Sequence, residues 1–354
     1  MLLQDNNTQA FLALVRAGLW EADVQLLEFE PIDYSRVLSL AEVQSVVGLV
    51  TAGLEHVADI RVPQGNILQF IGQSLLLEQR NRGMDYFIAE ITRKMNDSGI
   101  DTLLVKGQGI AQCYERPLWR ASGDVDFLLD TNNYRKAIDY LLPLSSNRKN
   151  EERYSSHLGI SIDPWYVEVH GSLRTGLSAK VDKIVDEVHE DTFKNRKVRV
   201  WKDGDTNVLL PEVNNDVFFV FTHFIKHFYK EGMSLRQICD WCRLLWTYRD
   251  MVDVRLLESR IRRAGLMDEW RAFAALAVDY LGMSVAAMPL YSIDKKWHLK
   301  GERILNYILN KNGTGKIGQT LHIAKIFPRN TIKFSPAIFF HLNWLKIKER
   351  VFGT

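Results

Sequence analysis

Residues 103–129, LLVKGQGIAQCYERPLWRASGDVDFLL, decide how the rest of the chain is read. The run has the order apolar strand, glycine turn, short helix over 110–114, polar loop and second apolar strand, which opens on Asp124 and Asp126. Side chains two apart in a strand share a face, so both carboxylates project together while Val125 and Phe127 turn to the buried side. Carboxylates held that close repel one another unless a cation lies between them, and oxygen donors suit a hard divalent ion, magnesium or manganese. In the turn Lys106-Gly107-Gln108-Gly109, glycines let the backbone approach a ligand, and free N–H groups at a helix start favour phosphate. Phosphate cradle plus carboxylate pair implies a metal-bound nucleotide. Either half alone is more often plain turn or solvated loop; the strand–turn–helix–strand order carries the reading.

Downstream, 132–142 reads as a helix with Asp130 or Thr131 as cap, followed by the polar, exposed loop 145–156. Two alternating strands, 158–162 and 165–170, join at Asp163-Pro164. In the second, Trp165, Val167 and Val169 share one face and Tyr166, Glu168 and His170 the other, which makes Glu168 a candidate third carboxylate. Short strands at 198–201 and 208–210 are expected to complete or edge the sheet. From residue 211 the pattern is helical, over 214–228, 234–248, 254–265, 267–281, 295–309 and 338–351. His223 and His227 share a helix face, but the glutamate of the zinc-protease helix motif is missing, so hydrogen-bonded packing is the preferred reading. Cys239 and Cys242 have Cys-x-x-Cys spacing with no second pair and a helical flank, the pattern of buried thiols. Upstream, helices over 10–19, 39–54 and 67–95 carry no catalytic constellation and read as a support.

Bulk properties narrow the alternatives. With 354 residues, 46% hydrophobic and 25% charged, the chain can bury a large core and is not disordered. The net charge of +2, from 45 basic against 43 acidic side chains, gives no bulk argument for nucleic acid. No apolar stretch reaches the length of a membrane span, and the N-terminus lacks a signal-peptide pattern, so a cytoplasmic location is expected. The basic, amphipathic 338–351 segment is read first as core packing, with peripheral membrane or partner association as the alternative.

The motif run resembles the nucleotidyltransferase superfamily that includes polymerase beta, whose pattern is an apolar strand, a glycine turn, a spacer and Asp-x-Asp on the next strand. More narrowly, LLVKGQG, a Tyr, an Arg and GDVDFLL resemble a bacterial group of uncharacterised nucleotidyltransferase-like proteins often found among cell-surface polysaccharide genes. VEVHGSL, with its acidic residue two before a His, and HFIKHFYKEGMSLRQICDW extend the resemblance, which covers residues 101–245. It implies an α+β fold: a nucleotidyltransferase-like mixed sheet with flanking helices (101–211) between an N-terminal helical region (1–100) and a C-terminal helical domain (212–354). It also implies Asp124, Asp126 and Glu168 as catalytic metal ligands, with His170 less defined. Lys106, Gly107, Gln108 and Gly109 would contact the phosphates, and Arg120, with Arg116 an alternative, would neutralise developing charge. His227, Arg236 and Asp240 would line the nucleotide or acceptor side. The implied reaction moves a nucleoside monophosphate from an NTP to a hydroxyl acceptor and releases pyrophosphate. Two departures stand out: Gln108 where the superfamily has Ser or Gly, and a longer spacer before Gly123. A non-catalytic nucleotide-sensing or interaction module on the same scaffold is the alternative, and a nucleic-acid end-modifying enzyme would require a continuous basic groove.

Overall fold

The computed structural model describes residues 5–146, 152–154, 156–310 and 316–334. Four helices come first: α1 (Asn6–Trp20), α2 (Tyr34–Val43), α3 (Val47–Glu55) and the 34-residue α4 (Gln64–Asp97). The α/β part runs β1 (Leu103–Val105), α5 (Gly107–Ala111), β2 (Val125–Leu128), α6 (Thr131–Leu141), β3 (Glu152–Tyr154), β4 (His157–Ile162), β5 (Trp165–His170), α7 (Ala179–Lys194), β6 (Val198–Asp203) and β7 (Thr206–Pro211). Helices α8 (Val213–Lys230), α9 (Leu235–Thr247), α10 (Val254–Ala264), α11 (Met267–Leu281), α12 (Lys295–Leu309), α13 (Lys316–Ile326) and α14 (Pro328–Phe334) follow. The fold is α+β. The tail helix expected over 338–351 lies outside the described residues.

The main sheet has the order β1-β2-β5-β4-β3; β2 and β5 are parallel and the other pairs antiparallel. Because β2 carries apolar residues at alternate positions, Val125 and Phe127 are fully buried and turn Asp126 to the opposite face. The buried side packs on the C-terminal half of α4, where Met84, Ile88, Ile91 and Met95 fall at helical spacing, and on Tyr134, Ala137 and Leu141 of α6. Burial of a side chain such as Phe127 contributes about 1.5–3 kcal/mol, so a one-residue slip of β2 would exchange that gain for a buried carboxylate.

A second apolar core joins the first helices to the last. Phe11, Leu14 and Leu19 of α1 share it with Phe221, Phe224, Trp241, Trp270 and Phe273. Helices α1 and α3 cross with their backbones in contact: a Cβ on Gly18 would stand 1.9 Å from the Leu49 carbonyl oxygen, and one on Gly53 2.1 Å from that of Leu14.

Several local expectations are corrected. The helix expected over 39–54 is two helices, because Ser45 adopts a left-handed φ of 56° and the buried Gln44 side chain bonds to Ile308 O and Leu235 N. The short helix begins at Gly107 rather than at Ile110, so its glycines lie inside its first turn. Strand β2 starts at Val125, leaving Asp124 on the loop just ahead of it. Strands β6 and β7 form a separate hairpin beside β1 instead of extending the sheet; Val208 and Leu210 point into the core beneath α4. Strand β3 emerges from the expected loop 145–156, of which residues 147–151 and 155 lie outside the described set. Helix α7 was not expected, although Ser178 caps it and Val181, Ile184, Val185 and Val188 bury one face.

Candidate active site

The polar face of the sheet floors a cleft of about 900 Å³, walled by α8, α9 and the loop after β5. Asp126 pairs in register with Val105 on one side and Glu168 on the other. Parallel pairing therefore brings two carboxylates together from residues 42 positions apart in sequence, and the loop end adds Asp124. One oxygen from each of Asp124, Asp126 and Glu168 lies within 4.8 Å of the others. Oxygen ligands at roughly 2.0–2.6 Å from a shared magnesium, manganese or calcium ion fall within such a span.

The cations around this trio set its protonation. Lys106 Nζ is 2.7 Å from Asp126 Oδ1, and His170 Nε2 is 2.8 Å from the same oxygen. Burial pushes the Asp126 carboxyl up, yet the Lys106 charge and the His170 hydrogen bond hold it below the usual range. Glu168 is likewise held well below the usual range against its burial, by His157 and His170 and by the Lys106 charge. Asp124 goes the other way: the neighbouring Asp126 charge, then burial, raises its pKa. Burial works against the charged forms of Lys106 and His170, but the carboxylates outweigh it and raise both.

Lys106 also carries unusual backbone, with φ 59° and ψ −145° just before Gly107 at φ 40°. For a residue with a Cβ this region costs about 1–3 kcal/mol and persists where the surroundings hold it, here through the Asp126 contact.

The other expected residues divide into those facing the cleft and those turned from it. Gly107 lines it; Gln108 and Gly109 do not. The Gln108 side chain is buried, donating to Asp85 and accepting from Ser122 Oγ at 2.6 Å. Gly109 packs beneath Leu210, whose Cδ2 would be 2.8 Å from an added Cβ. Arg120 lines the cleft but is held by Asp240, which accepts from its Nε at 2.9 Å and Nη2 at 2.6 Å and from Tyr114 Oη at 2.8 Å. Arg116 turns away to Glu21 and Glu55. Arg236 reaches the cleft from α9 with Nη1 donating to Ala121 O at 2.6 Å, while its buried Nε has no partner among the described residues. Burial, then the Arg120 charge, lowers its pKa against the pull of Asp240 and Asp124.

On α8, the ring nitrogens of His223 and His227 meet at 2.9 Å, and His227 Nδ1 reaches Glu231 at 2.8 Å. The expected hydrogen-bonded packing holds, yet both rings also line the cleft. Burial, then the Lys106 charge, keeps His223 neutral. All three cysteines are buried and free.

His157 and Arg174 line the same cleft, as do His223 and Lys226 from the block 223–240. His157 was legible: a hairpin turning at 163–164 pairs residues whose numbers sum to 327, which sets His157 opposite His170.

A strand, a glycine turn and a following strand that presents aspartate beside a third carboxylate are the arrangement expected of a nucleotidyltransferase fold. The chain belongs to the uncharacterised nucleotidyltransferase family, whose family model matches residues 30–282. No curated protein and no solved structure matches it. No helix among the described residues is long and apolar enough to cross a membrane.

Proposed function

We propose that the protein is a divalent-metal-dependent nucleotidyltransferase that moves a nucleoside monophosphate from an NTP to a hydroxyl of an acceptor and releases pyrophosphate. The observation that carries this reading is the convergence of Asp124, Asp126 and Glu168 within 4.8 Å at the floor of the cleft. Oxygen donors alone suit magnesium or manganese, and such an ion would activate the acceptor hydroxyl and offset charge on the phosphates. The chain's own residues supply the rest. Lys106 balances the carboxylates and stands next to Gly107, where the backbone lies open to the cleft. Arg236, half-buried and with its Nε unpartnered among the described residues, is the anchor for the triphosphate, and the Asp240–Arg120 pair holds the wall beside it. His223, held neutral, offers a hydrogen bond rather than a charge. The loop 172–176, which lines the cleft, is the proposed acceptor side. A cytoplasmic setting, where NTP and magnesium are abundant, goes with this chemistry.

The test uses NTP labelled at the α or the γ phosphorus, incubated with the protein, magnesium and a cell extract as source of acceptors. Transfer of the α label with release of unlabelled pyrophosphate is expected. Movement of the γ label alone would make the protein a kinase, and no transfer with any NTP would overturn the reading.

A further inference from the structure

A second set of donors shares the cleft floor with the carboxylate trio. His157 on β4 stands directly across from His170 on β5, and Glu168 precedes His170 by two, so all three side chains rise from one face of the sheet. His157 Nε2 is 3.5 Å and His170 Nε2 3.4 Å from Glu168 Oε2, and a ligand atom from each residue falls within 4.8 Å of the others. Those separations exceed the roughly 2.7–3.2 Å of a good N–H···O hydrogen bond. They match neighbouring corners of a first-row coordination shell, where bonds of about 2.0–2.2 Å at tetrahedral to octahedral angles put donors ~3.0–3.5 Å apart.

We infer that His157, His170 and Glu168 form a second, nitrogen-bearing site for a first-row transition-metal ion, with Glu168 shared between this ion and the carboxylate site. The inference deepens the proposed function and rests on it for the role of the neighbouring site. The chemistry separates the two positions. Asp124, Asp126 and Glu168 offer oxygen only, the preference of magnesium, whereas two imidazoles and one carboxylate select zinc, manganese, iron or cobalt over magnesium. His170 joins the sets: its Nε2 sits at hydrogen-bond distance, 2.8 Å, from Asp126 Oδ1. On ligation it releases its Nε2 proton to solvent and exchanges that bond for the metal, and Lys106 Nζ, 2.7 Å from Asp126 Oδ1, keeps Asp126 partnered. The two rings have centroids 5.0 Å apart and an interplanar angle of 25°. Histidine χ2 is a broad torsion, so aiming both lone pairs at one ion needs ring rotation rather than strand movement.

The test is titration of the full-length protein with Co²⁺ in excess Mg²⁺, reading visible d–d absorption, which is stronger for four- or five-coordinate cobalt with nitrogen ligands than for six-coordinate all-oxygen cobalt. The wild type should show the strong band. His157→Ala and His157→Gln should each lose it, with apparent Co²⁺ affinity at that site falling at least about tenfold, while Asp124→Asn retains it. A weak all-oxygen spectrum in the wild type, or a strong band unchanged in both His157 variants, would overturn the inference. His157→Gln keeps a polar side chain of similar reach, so it decides the matter should the alanine variant fail to fold by circular dichroism. A strong band without nucleotidyl transfer would sink the proposed function alone; transfer without the band would sink this inference alone.

Discussion

Asp124 and Asp126 are two residues apart yet sit in opposite electrostatic positions. Asp126 is paired with Lys106 and His170; Asp124 faces the Asp126 charge and raises the energy of its own ionised form. A carboxyl whose folded pKa is raised binds protons more tightly in the folded state, so it lowers stability as pH rises through that pKa. Asp124→Asn is therefore expected to raise the Tm at neutral pH while removing metal-dependent turnover. The gain should vanish below about pH 4, the ordinary aspartate range, where both states are protonated. Thermal melts of both proteins from pH 3.5 to 8 check this, and a variant less stable at pH 7.5 would contradict the assigned charge state. Asp126→Asn should behave differently: it strands the Lys106 and His170 charges, and breaking a buried pair costs about 3–5 kcal/mol. At this scale the shared face of Asp126 and Glu168 was legible from strand alternation, whereas Asp124 joins them from the loop ahead of β2. The role of Gln108 was not legible, because its partners Asp85 and Ser122 lie on other segments and turn it away from the cleft.

At the scale of elements, the site depends on close backbone approach far from the chemistry. Gly18 and Gly53 let α1 and α3 cross in contact. Gly53→Ala would place a methyl 2.1 Å from the Leu14 carbonyl oxygen and separate the helices. A loss of about 3 kcal/mol, at the upper end of usual overpacking effects, is expected in urea unfolding, and a change under 0.5 kcal/mol would be inconsistent with this crossing. Helices α4, α8 and α9 and strands β1, β2, β4 and β5 followed their apolar periodicity. The break at Ser45 escaped detection because the apolar period continues through it, and a left-handed serine leaves no mark in composition. The separate β6–β7 hairpin escaped because strand patterning gives the buried face and not the neighbouring strand.

Over the whole molecule, the floor of the cleft is held by parts distant in sequence. Arg243 of α9, itself buried, donates to Cys113 O at 2.7 Å, Leu19 O at 2.9 Å and Glu115 at 2.9 Å, tying the glycine-turn segment to α1 and α9. The sheet rests on α4, and the cleft wall belongs to α8 and α9. The division at 101–211 suits the motifs, but a fragment of those residues alone would expose the apolar faces that α4 and α8 cover. Such a fragment is expected to show no cooperative unfolding transition, whereas the full chain unfolds through a transition shared by its first and last helices. A cooperative melt of the fragment would show that it stands as an independent domain.

The central claim is that the carboxylate trio holds a divalent ion for nucleotidyl transfer, and pyrophosphate release tests it most directly. With NTP and acceptor-containing extract, the wild type should release pyrophosphate only when Mg²⁺ or Mn²⁺ is present. Asp124→Asn, folded and at least as stable, should fall by about 100-fold or more, equivalent to roughly 2.7 kcal/mol of transition-state stabilisation. Equal release by the folded variant, or release by the wild type undiminished by EDTA, would contradict the account.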